Sequence, residues 1–295
     1  MDKISIIVPC FNEEDVVSMF YQETTKQLHR IPDIDYELLF INDGSKDHTA
    51  LVLKELADKD SHCFYFTFSR NFGKEAAMFA GLEKATGDYV VIMDADLQHP
   101  PRLLPDMYHA CKYEGYDCAA GKRVDRTGEG RLRNFLSHSF YKVIQKLTKM
   151  DMDDGAGDFR MMSRQMVDAI LELKEYNRYM KGLFSFVGFD TKWIEFHNVE
   201  RAAGQTKWSF TSLFSKGIFS FSATPITFAG VIGTFLIFLS LIISVISVVM
   251  HYHTLVVDLI LFLSGVQLIF ISILGQYCTS CYFETKKRPI YIIKD

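Results

Sequence analysis

The chain has 295 residues and a formal net charge of −4, and 48% of its residues are hydrophobic. This length allows one large core or two domains, and the mildly acidic balance gives no indication of nucleic-acid binding. Charge is distributed unevenly, because residues 217–257 and 259–283 contain no Asp, Glu, Lys or Arg. The first 210 residues, by contrast, have the composition of a soluble α/β protein.

Apolar runs and helical patterns alternate along the first part of the chain, with short loops between them. Such alternation predicts an α/β fold with a mostly parallel sheet and helices on both of its faces. The predicted strands cover 4–8, 36–41, 64–68, 89–93 and 117–121, and the predicted helices run from the turn at 9–14 to about 29 and over 47–59, 73–86 and 101–114.

Two aspartates, Asp94 and Asp96, end the predicted strand at 89–93. By itself, Asp-x-Asp is as typical of a polar strand-to-turn junction as of a metal site. Two hard oxygen donors at the carboxyl end of a parallel strand nevertheless suit Mg²⁺ or Mn²⁺, which takes its other ligands from water and substrate phosphates.

Two further predicted strands end in polar residues, at 9–13 and at Asn42-Asp43. Because the carboxyl ends of parallel strands share one edge of a sheet, their convergence with Asp94 and Asp96 predicts a nucleotide site. The chain has neither the GxGxxG nor the GxxxxGK[ST] pattern, so dinucleotide binding and P-loop chemistry are disfavoured. A metal on the two aspartates would then neutralise the nucleotide diphosphate.

The second half begins with a basic stretch at 122–133, and the apolar spacing that follows predicts an amphipathic helix at 131–149. This pattern is typical of a membrane surface, and the alternative is a solvated loop followed by a core helix. Beyond it the sequence predicts an acidic, glycine-containing loop at 151–160, a helix at 164–174, an edge strand at 191–199, a basic turn at 201–208 and a juxtamembrane interfacial helix within 208–224.

Two uncharged runs, 225–250 and 259–282, are each long enough as helices to cross a hydrocarbon core of about 30 Å. The linker 251–258 has no Lys or Arg, whereas basic residues flank the pair, so the positive-inside rule places the linker outside and the tail 283–295 in the cytoplasm. We expect a multi-pass protein of the plasma (inner) membrane with a cytoplasmic catalytic domain at 1–207. A buried hairpin in a soluble core is the disfavoured alternative.

Four motifs together resemble those of family 2 glycosyltransferases with the GT-A fold. They are Asp43-Gly44-Ser45, Asp94-Ala95-Asp96-Leu97-Gln98-His99-Pro100-Pro101, Gly157-Asp158-Phe159-Arg160, and Arg201-x-x-Gly204-x-Thr206-Lys207-Trp208. Within this family the chain is similar to polyprenyl-phosphate glycosyltransferases, and its two-span tail looks most like the bactoprenol branch. Gln276 stands where an acid is expected and Thr206 where Ser is usual, and neither departure touches the donor site.

The resemblance implies an inverting transfer of a hexose, glucose or N-acetylglucosamine, from a UDP-sugar to undecaprenyl phosphate at the bilayer, for cell-envelope glycan modification. It implies that the uridine is held by Pro9, Phe11, Asn12, Glu13 and Asp43. It also implies that Asp94, Ala95 and Asp96 complete the nucleotide site, with Mg²⁺ or Mn²⁺ on the two aspartates, and that Gln98 orients the metal or donor. The acceptor phosphate would be held by Arg123, Arg133, Ser137, Arg201 and Lys207. The expected catalytic set is Asp96, Asp158, Arg133 and Arg201. Asp158 is either a base or an orienting group.

Two rival functions remain. A processive polysaccharide synthase would require more spans and a Gln-x-x-Arg-Trp motif, which the sequence at 205–208 lacks. A non-catalytic membrane sensor of UDP-sugars would have no need of a second phosphate site. Small residues in the predicted spans also favour close helix contacts and a possible homo-oligomer, a dimer or tetramer. These residues are Gly230, Gly233, Gly265 and Gly275.

Overall fold

The computed structural model describes residues 1–124, 156–176, 178–197 and 255–294. The chain divides into two compact units, Met1–Phe210 together with Pro289–Asp295, and Thr211–Arg288. Several predicted segments lie outside the described residues. They are the amphipathic helix at 131–149, the basic turn at 201–208, the interfacial helix within 208–224 and the first predicted span at 225–250.

In the first unit, strands and helices alternate as predicted. Its described strands are β1 (Asp2–Cys10), β2 (Ile34–Asn42), β3 (Cys63–Thr67), β4 (Tyr89–Ile92), β5 (Cys118–Arg123), β6 (Ala156–Ser163) and β7 (Thr191–Phe196). Its described helices are α1 (Val17–Leu28), α2 (Thr49–Lys59), α3 (Lys74–Lys84), α4 (Leu104–Tyr113) after a 3₁₀ turn at Pro101–Leu103, α5 (Arg164–Glu172) and α6 (Met180–Phe186).

The seven described strands form one sheet in the order β3-β2-β1-β4-β6-β5-β7. Pairing is parallel from β3 to β4 and again between β5 and β7, whereas β6 runs antiparallel to both of its neighbours. Six of these strands therefore point the same way, which confirms the α/β, mostly parallel sheet. Because β6 is reversed, its beginning lies at the edge where the other strands end.

The centre of the sheet is buried on both faces. In β1, Ile4 and Ile6 are fully buried in the main core cluster, and Ile7, the residue after Ile6, is equally buried outside that cluster. Helix α3 packs closely here, because a Cβ added at Gly81 would lie 2.2 Å from the Ile7 Cγ2 atom. This contact fixes α3 against β1 and thereby positions the first residues of the helix at the carboxyl edge of the sheet.

For the middle of the chain one prediction is wrong and one helix was missed. The loop predicted at 151–160 is, over its described part, the strand β6, because Phe159 and Met161 alternate into the core and are fully buried. Helix α6 was not predicted, and the segment before it was assigned no structure. Edge strand β7 is confirmed, ending at Phe196.

The segment after residue 288 belongs to the first unit and lies beside β3. Ile293 forms an antiparallel bridge with Phe68, and the Tyr291 ring stacks on Phe68 with 5.0 Å between the ring centroids. The Tyr291 hydroxyl donates to Glu83 on α3 at 2.6 Å. Tyr291 and Ile293 therefore lie against the edge of the sheet.

The described part of the second unit is one helix, α7 (Leu255–Lys286), which includes the second predicted span at 259–282. Within the parts of the chain that the structure describes, no helix qualifies as a membrane span by its length and hydropathy together. The predicted two-span hairpin is therefore not confirmed.

Candidate active site

Four chain segments meet at the carboxyl edge of the sheet. β1, β2 and β4 each end there, and the reversed β6 begins there, since Ile92 of β4 pairs with Arg160. This edge therefore holds Asp43 after β2, Asp94 after β4 and Asp158 near the start of β6. The sequence predicted the first two of these positions, and the antiparallel strand brings the third to the same edge.

The loop after β2 is built around Asp43, which is buried. Its two carboxylate oxygens accept the backbone N–H groups of Phe72 at 2.6 Å and Gly73 at 2.9 Å. Burial raises the pKa of Asp43 above its ordinary value, against the opposing effect of these two bonds. The next residue, Gly44, has φ +64°, and a Cβ there would lie 2.5 Å from the Arg70 carbonyl carbon. Asp43-Gly44 thus fixes the loop before α3.

The ends of β1 and β2 are tied together by Asn12. Its side-chain Oδ1 accepts the backbone N–H of Lys46 at 2.9 Å, and its own N–H donates to the Ser45 Oγ atom at 3.0 Å. Asn12 has φ +57°, a left-handed conformation that Asn tolerates better than most residues. The Glu13 N–H donates to Thr49 Oγ1 at 2.9 Å. These bonds give the predicted nucleotide residues a defined loop framework.

The centre of the edge is a cluster of two carboxylates that share one ammonium group. Lys74 Nζ lies 2.6 Å from Asp94 Oδ1, 2.9 Å from Asp94 Oδ2 and 2.7 Å from Asp158 Oδ2. Lys74 is the first residue of α3, directly after Gly73, so the Asp43 loop holds it in place. We call these three residues the Lys74 cluster.

Charge pairing dominates the titration of the Lys74 cluster. Burial alone would lower the pKa of Lys74, but the attraction of Asp158 and Asp94 outweighs it and raises that pKa. Burial alone would raise the pKa of Asp158, but Lys74, assisted by Lys181, holds it well below its usual range. The pKa of Asp94 is lowered in the same way, again against the effect of burial. All three groups of the cluster are therefore charged at neutral pH.

His99 holds the backbone of Asp94 in place. Its ring is buried, stacks on Phe159 with 5.0 Å between centroids, and accepts the Asp94 backbone N–H on Nδ1 at 3.0 Å. Burial lowers the pKa of His99, so the neutral ring carries its proton on Nε2, which lies 3.8 Å from Asp94 Oδ2. His99 thereby fixes the backbone from which the Asp94 carboxylate projects.

The residues present fit a divalent metal that relies on substrate for part of its coordination. Asp94 keeps 30% of its side chain exposed and Asp96 is buried, with Asp96 Oδ1 accepting the Gln98 N–H at 3.1 Å. In the described ranges no group of three or more His, Cys, Asp or Glu side chains is arranged to hold a metal. Two carboxylates, with water and phosphate oxygens as the further ligands, are the donor set that Mg²⁺ and Mn²⁺ use beside nucleotides.

The remaining predicted residues are placed only in part. Pro9, Phe11 and Gln98 are half-buried near the same strand ends, and Ala95 is buried. Arg123 ends β5 and is half-buried. The other predicted acceptor residues, Arg133, Ser137, Arg201 and Lys207, lie outside the described residues.

Sequence reasoning missed Lys74 and gave His99 no role. Lys74 contacts partners 20 and 84 positions away, so no local pattern marks it. A lysine in the first turn of a helix that faces the acidic ends of two strands could be found only once the order of the strands is known.

Comparison with known proteins shows the family to which the chain belongs. Residues 5–171 match the model of glycosyl transferase family 2. The chain is 44% identical to the protein CsbB of Bacillus subtilis (strain 168), over 99% of this chain and 91% of the relative. It is 41% identical to a bactoprenol glucosyl transferase of Shigella phage SfX, over 99% of both chains. The chain therefore belongs to glycosyl transferase family 2, as its motifs indicated.

A solved structure is also similar. The glucosyl-3-phosphoglycerate synthase of Mycobacterium tuberculosis, in complex with Mn²⁺, UDP-glucose and phosphoglyceric acid, has a TM-score of 0.45 and 20% identity. The match covers 73% of this chain and 76% of that chain.

Proposed function

We propose that this transferase moves a single hexose from a UDP-sugar to undecaprenyl phosphate, with inversion at the sugar C1 atom. The observation that carries the proposal is the Lys74 cluster beside the Asp43 loop, at the edge where parallel α/β sheets bind nucleotides. The relatives named bactoprenol glucosyl transferase, similar over 99% of this chain, support a polyprenyl phosphate as the acceptor. Glucose and N-acetylglucosamine are the donor sugars we would test first.

In this proposal Asp94 and Asp96 hold Mg²⁺ or Mn²⁺, which would stabilise the negative charge that develops on the departing UDP. The loop residues around Asn12 and Asp43 hold the nucleoside. A phosphate monoester with a second pKa near 6 is largely a dianion at pH 7, so the acceptor oxygen can attack with little help from a base.

Asp158 acts as an orienting group in this proposal. A general base works best when its pKa is near the operating pH, whereas Lys74 lowers the pKa of Asp158 far from it. Ion pairing at 2.7 Å also fixes the carboxylate, which suits a hydrogen-bond acceptor for a hydroxyl of the sugar.

The test is a transfer assay on membranes that contain the full chain. They are incubated with radiolabelled UDP-glucose or UDP-N-acetylglucosamine, undecaprenyl phosphate and Mn²⁺, and the lipid extract is hydrolysed with mild acid. One labelled sugar per lipid supports the proposal, a polymer supports the processive synthase, and no product supports the sensor. Asp94→Asn is the inactive control, and Asp168→Asn, at a carboxylate that is 62% exposed on α5, is the matched control.

We also propose that the chain is a multi-pass protein of the plasma membrane with its catalytic unit in the cytoplasm. The uncharged runs and the basic residues that flank them support this proposal. Membrane fractions washed with alkaline carbonate should retain the chain, and release into the supernatant would contradict the proposal. The UDP-sugar donor would then reach the site from the cytoplasm and react with the lipid phosphate at the inner leaflet.

A further inference from the structure

Lys74 occupies both oxygens of a carboxylate that the proposed function assigns to a metal. Its ammonium lies 2.6 and 2.9 Å from the two Asp94 oxygens. A divalent cation bound to the same carboxylate would lie close to this ammonium, and the two cations would repel each other strongly where water is scarce. The described structure therefore holds a positive charge at the place where the metal has to bind.

Lys74 has a second partner in the cluster, the Asp158 carboxylate. Asp158 Oδ2 lies 2.7 Å from Nζ, and the Asp158 side chain is only 11% exposed, against 30% for Asp94. The cluster therefore opens to solvent on its Asp94 side. An incoming cation can approach Asp94 while the ammonium stays bound to the more enclosed Asp158.

The backbone around Lys74 connects it to the nucleotide loop. The N–H of Gly73, the residue before Lys74, donates to Asp43, and the carboxylate of Glu75, the residue after it, accepts the Met180 N–H at 2.9 Å. Lys74 is thus held from both sides, so any shift of its ammonium comes from the side chain. A nucleotide in contact with Asp43 would lie next to this anchored residue, and its diphosphate would offer further ligands to the metal.

We propose that Lys74 is a resident counter-cation that holds Asp94 in the free protein and remains on Asp158 when metal and donor are bound. Divalent metal then binds poorly alone and enters together with the UDP-sugar, whose phosphates compensate for the repulsion. Lys74 is in this sense a positioning residue that sets the order of binding. This inference rests on the proposed function, because it needs a metal on Asp94.

The test measures Mn²⁺ binding, with no turnover involved. The purified full chain in detergent is titrated with Mn²⁺, with and without UDP, and free Mn²⁺ is followed by its electron paramagnetic resonance signal. Wild type should bind Mn²⁺ weakly alone and more tightly with UDP. Lys74→Met should bind Mn²⁺ alone about tenfold more tightly than wild type, a change equal to about one charge-assisted hydrogen bond. Equal affinity of Lys74→Met and wild type for Mn²⁺ alone would overturn the inference.

Three further variants make the result specific. Lys74→Arg keeps the positive charge and should behave as wild type, and Lys181→Met removes a cation that acts on Asp158 only through space and should change Mn²⁺ affinity little. If Lys74→Met folds poorly, the double variant Lys74→Met with Asp158→Asn removes both members of the enclosed pair. It should still bind Mn²⁺ alone more tightly than wild type, though by less than Lys74→Met because a carboxylate that attracts the cation is also removed, and without any gain the inference fails.

The same titration separates this inference from the proposed function. If wild type binds no Mn²⁺ even with UDP, and Asp94→Asn behaves identically, the metal assignment itself is wrong. If wild type binds Mn²⁺ with UDP, Asp94→Asn does not, and Lys74→Met shows no gain, the metal assignment stands and only the role of Lys74 is refuted.

Discussion

Carboxylates paired with lysine lie toward opposite edges of the sheet, Glu37 at one edge and Asp94 with Asp158 at the other, and the two places differ in how completely their charges are matched. Toward the amino edge, Glu37 of β2 accepts from Lys3 at 2.7 Å and from Ser5 at 2.6 Å, and also from the Thr86 N–H at 2.8 Å and its hydroxyl at 3.0 Å. At the carboxyl edge, one ammonium group, that of Lys74, is shared between Asp94 and Asp158.

The difference separates a structural role from a chemical one. Glu37 is 4% exposed and each of its oxygens has donors, so it joins β1, β2 and the turn before β4 with nothing left to bind. The Lys74 cluster carries an excess of negative charge at contact distance and is partly open on one side. A partly buried site with unmatched negative charge can take a further cation when the phosphates of a ligand accompany it, whereas a matched site cannot.

The largest expected effect is a loss of sugar transfer after a substitution at the carboxyl edge. Asp94→Asn removes a proposed metal ligand and leaves the size of the side chain unchanged, so we expect sugar transfer to fall by about 100- to 1,000-fold. The melting temperature should change little, because Lys74 keeps Asp158 as its partner. Radiolabel transfer and a thermal melt on the same sample measure both quantities. Transfer at the rate of the Asp168→Asn control would refute the role of Asp94.

Glu37→Gln tests the amino edge and should have the opposite profile. The amide places a donor among the Lys3, Ser5 and Thr86 donors, so we expect a loss of about 1–3 kcal/mol in the free energy of unfolding. For a unit of this size the melting temperature falls by about 2–4 °C per kcal/mol. The transfer rate per folded molecule should equal that of wild type. A variant that melts normally but loses transfer would contradict a structural role for Glu37.

The sequence predicted the first four strands and their polar ends well because their cores are continuous apolar runs. Val90, Val91 and Ile92, for example, can hardly be placed other than in a buried strand. The carboxyl-edge position of Asp43 and Asp94 then follows from parallel pairing alone. This part of the site depends on local patterns and on one rule of topology, and both can be read without coordinates.

The rest of the site depends on long-range contacts. Asp158 follows glycines and acids that favour a loop. Only the burial of Phe159 and Met161 and the pairing of β6 with β4 show that Asp158 lies near the start of a strand. Helix α6 has seven residues including Gly182, which is too short for helical periodicity to be recognised. The ion pairs of Lys74 span 20 and 84 positions, so no window of sequence contains them.

His99→Phe sharpens the comparison within the carboxyl edge. Phenylalanine keeps a ring against Phe159 but cannot accept the Asp94 N–H that Nδ1 accepts at 3.0 Å. A buried donor left without a partner costs about 1–3 kcal/mol, so the Asp94 backbone should shift and transfer should fall by about tenfold. His109→Phe, at a ring that is 62% exposed on α4, is the matched control. Equal transfer rates in the two variants would show that His99 does not position Asp94.

The smallest expected effect is a pH dependence that belongs to the amino edge. Burial alone would raise the pKa of Glu37, but the bonds from Lys3, Ser5 and Thr86 lower it below the ordinary value of 4.5. In the acid range the unfolded chain therefore binds a proton at this position before the folded chain does. The stability that Glu37 contributes is complete above about pH 4.5 and is lost as the pH falls through the pKa of the folded state.

This loss can be isolated by difference, since Glu37→Gln retains every other acid, including Asp94 and Asp158, whose pKa values are also lowered. The gap in melting temperature between wild type and Glu37→Gln should stay constant from pH 8 to about pH 5.5 and narrow toward pH 4, because the unfolded wild-type chain then gains a proton at Glu37 that the folded chain, with its lower pKa, takes up only at lower pH. A gap that stays the same at pH 4, or widens, would show that the donors around Glu37 do not stabilise its charged form.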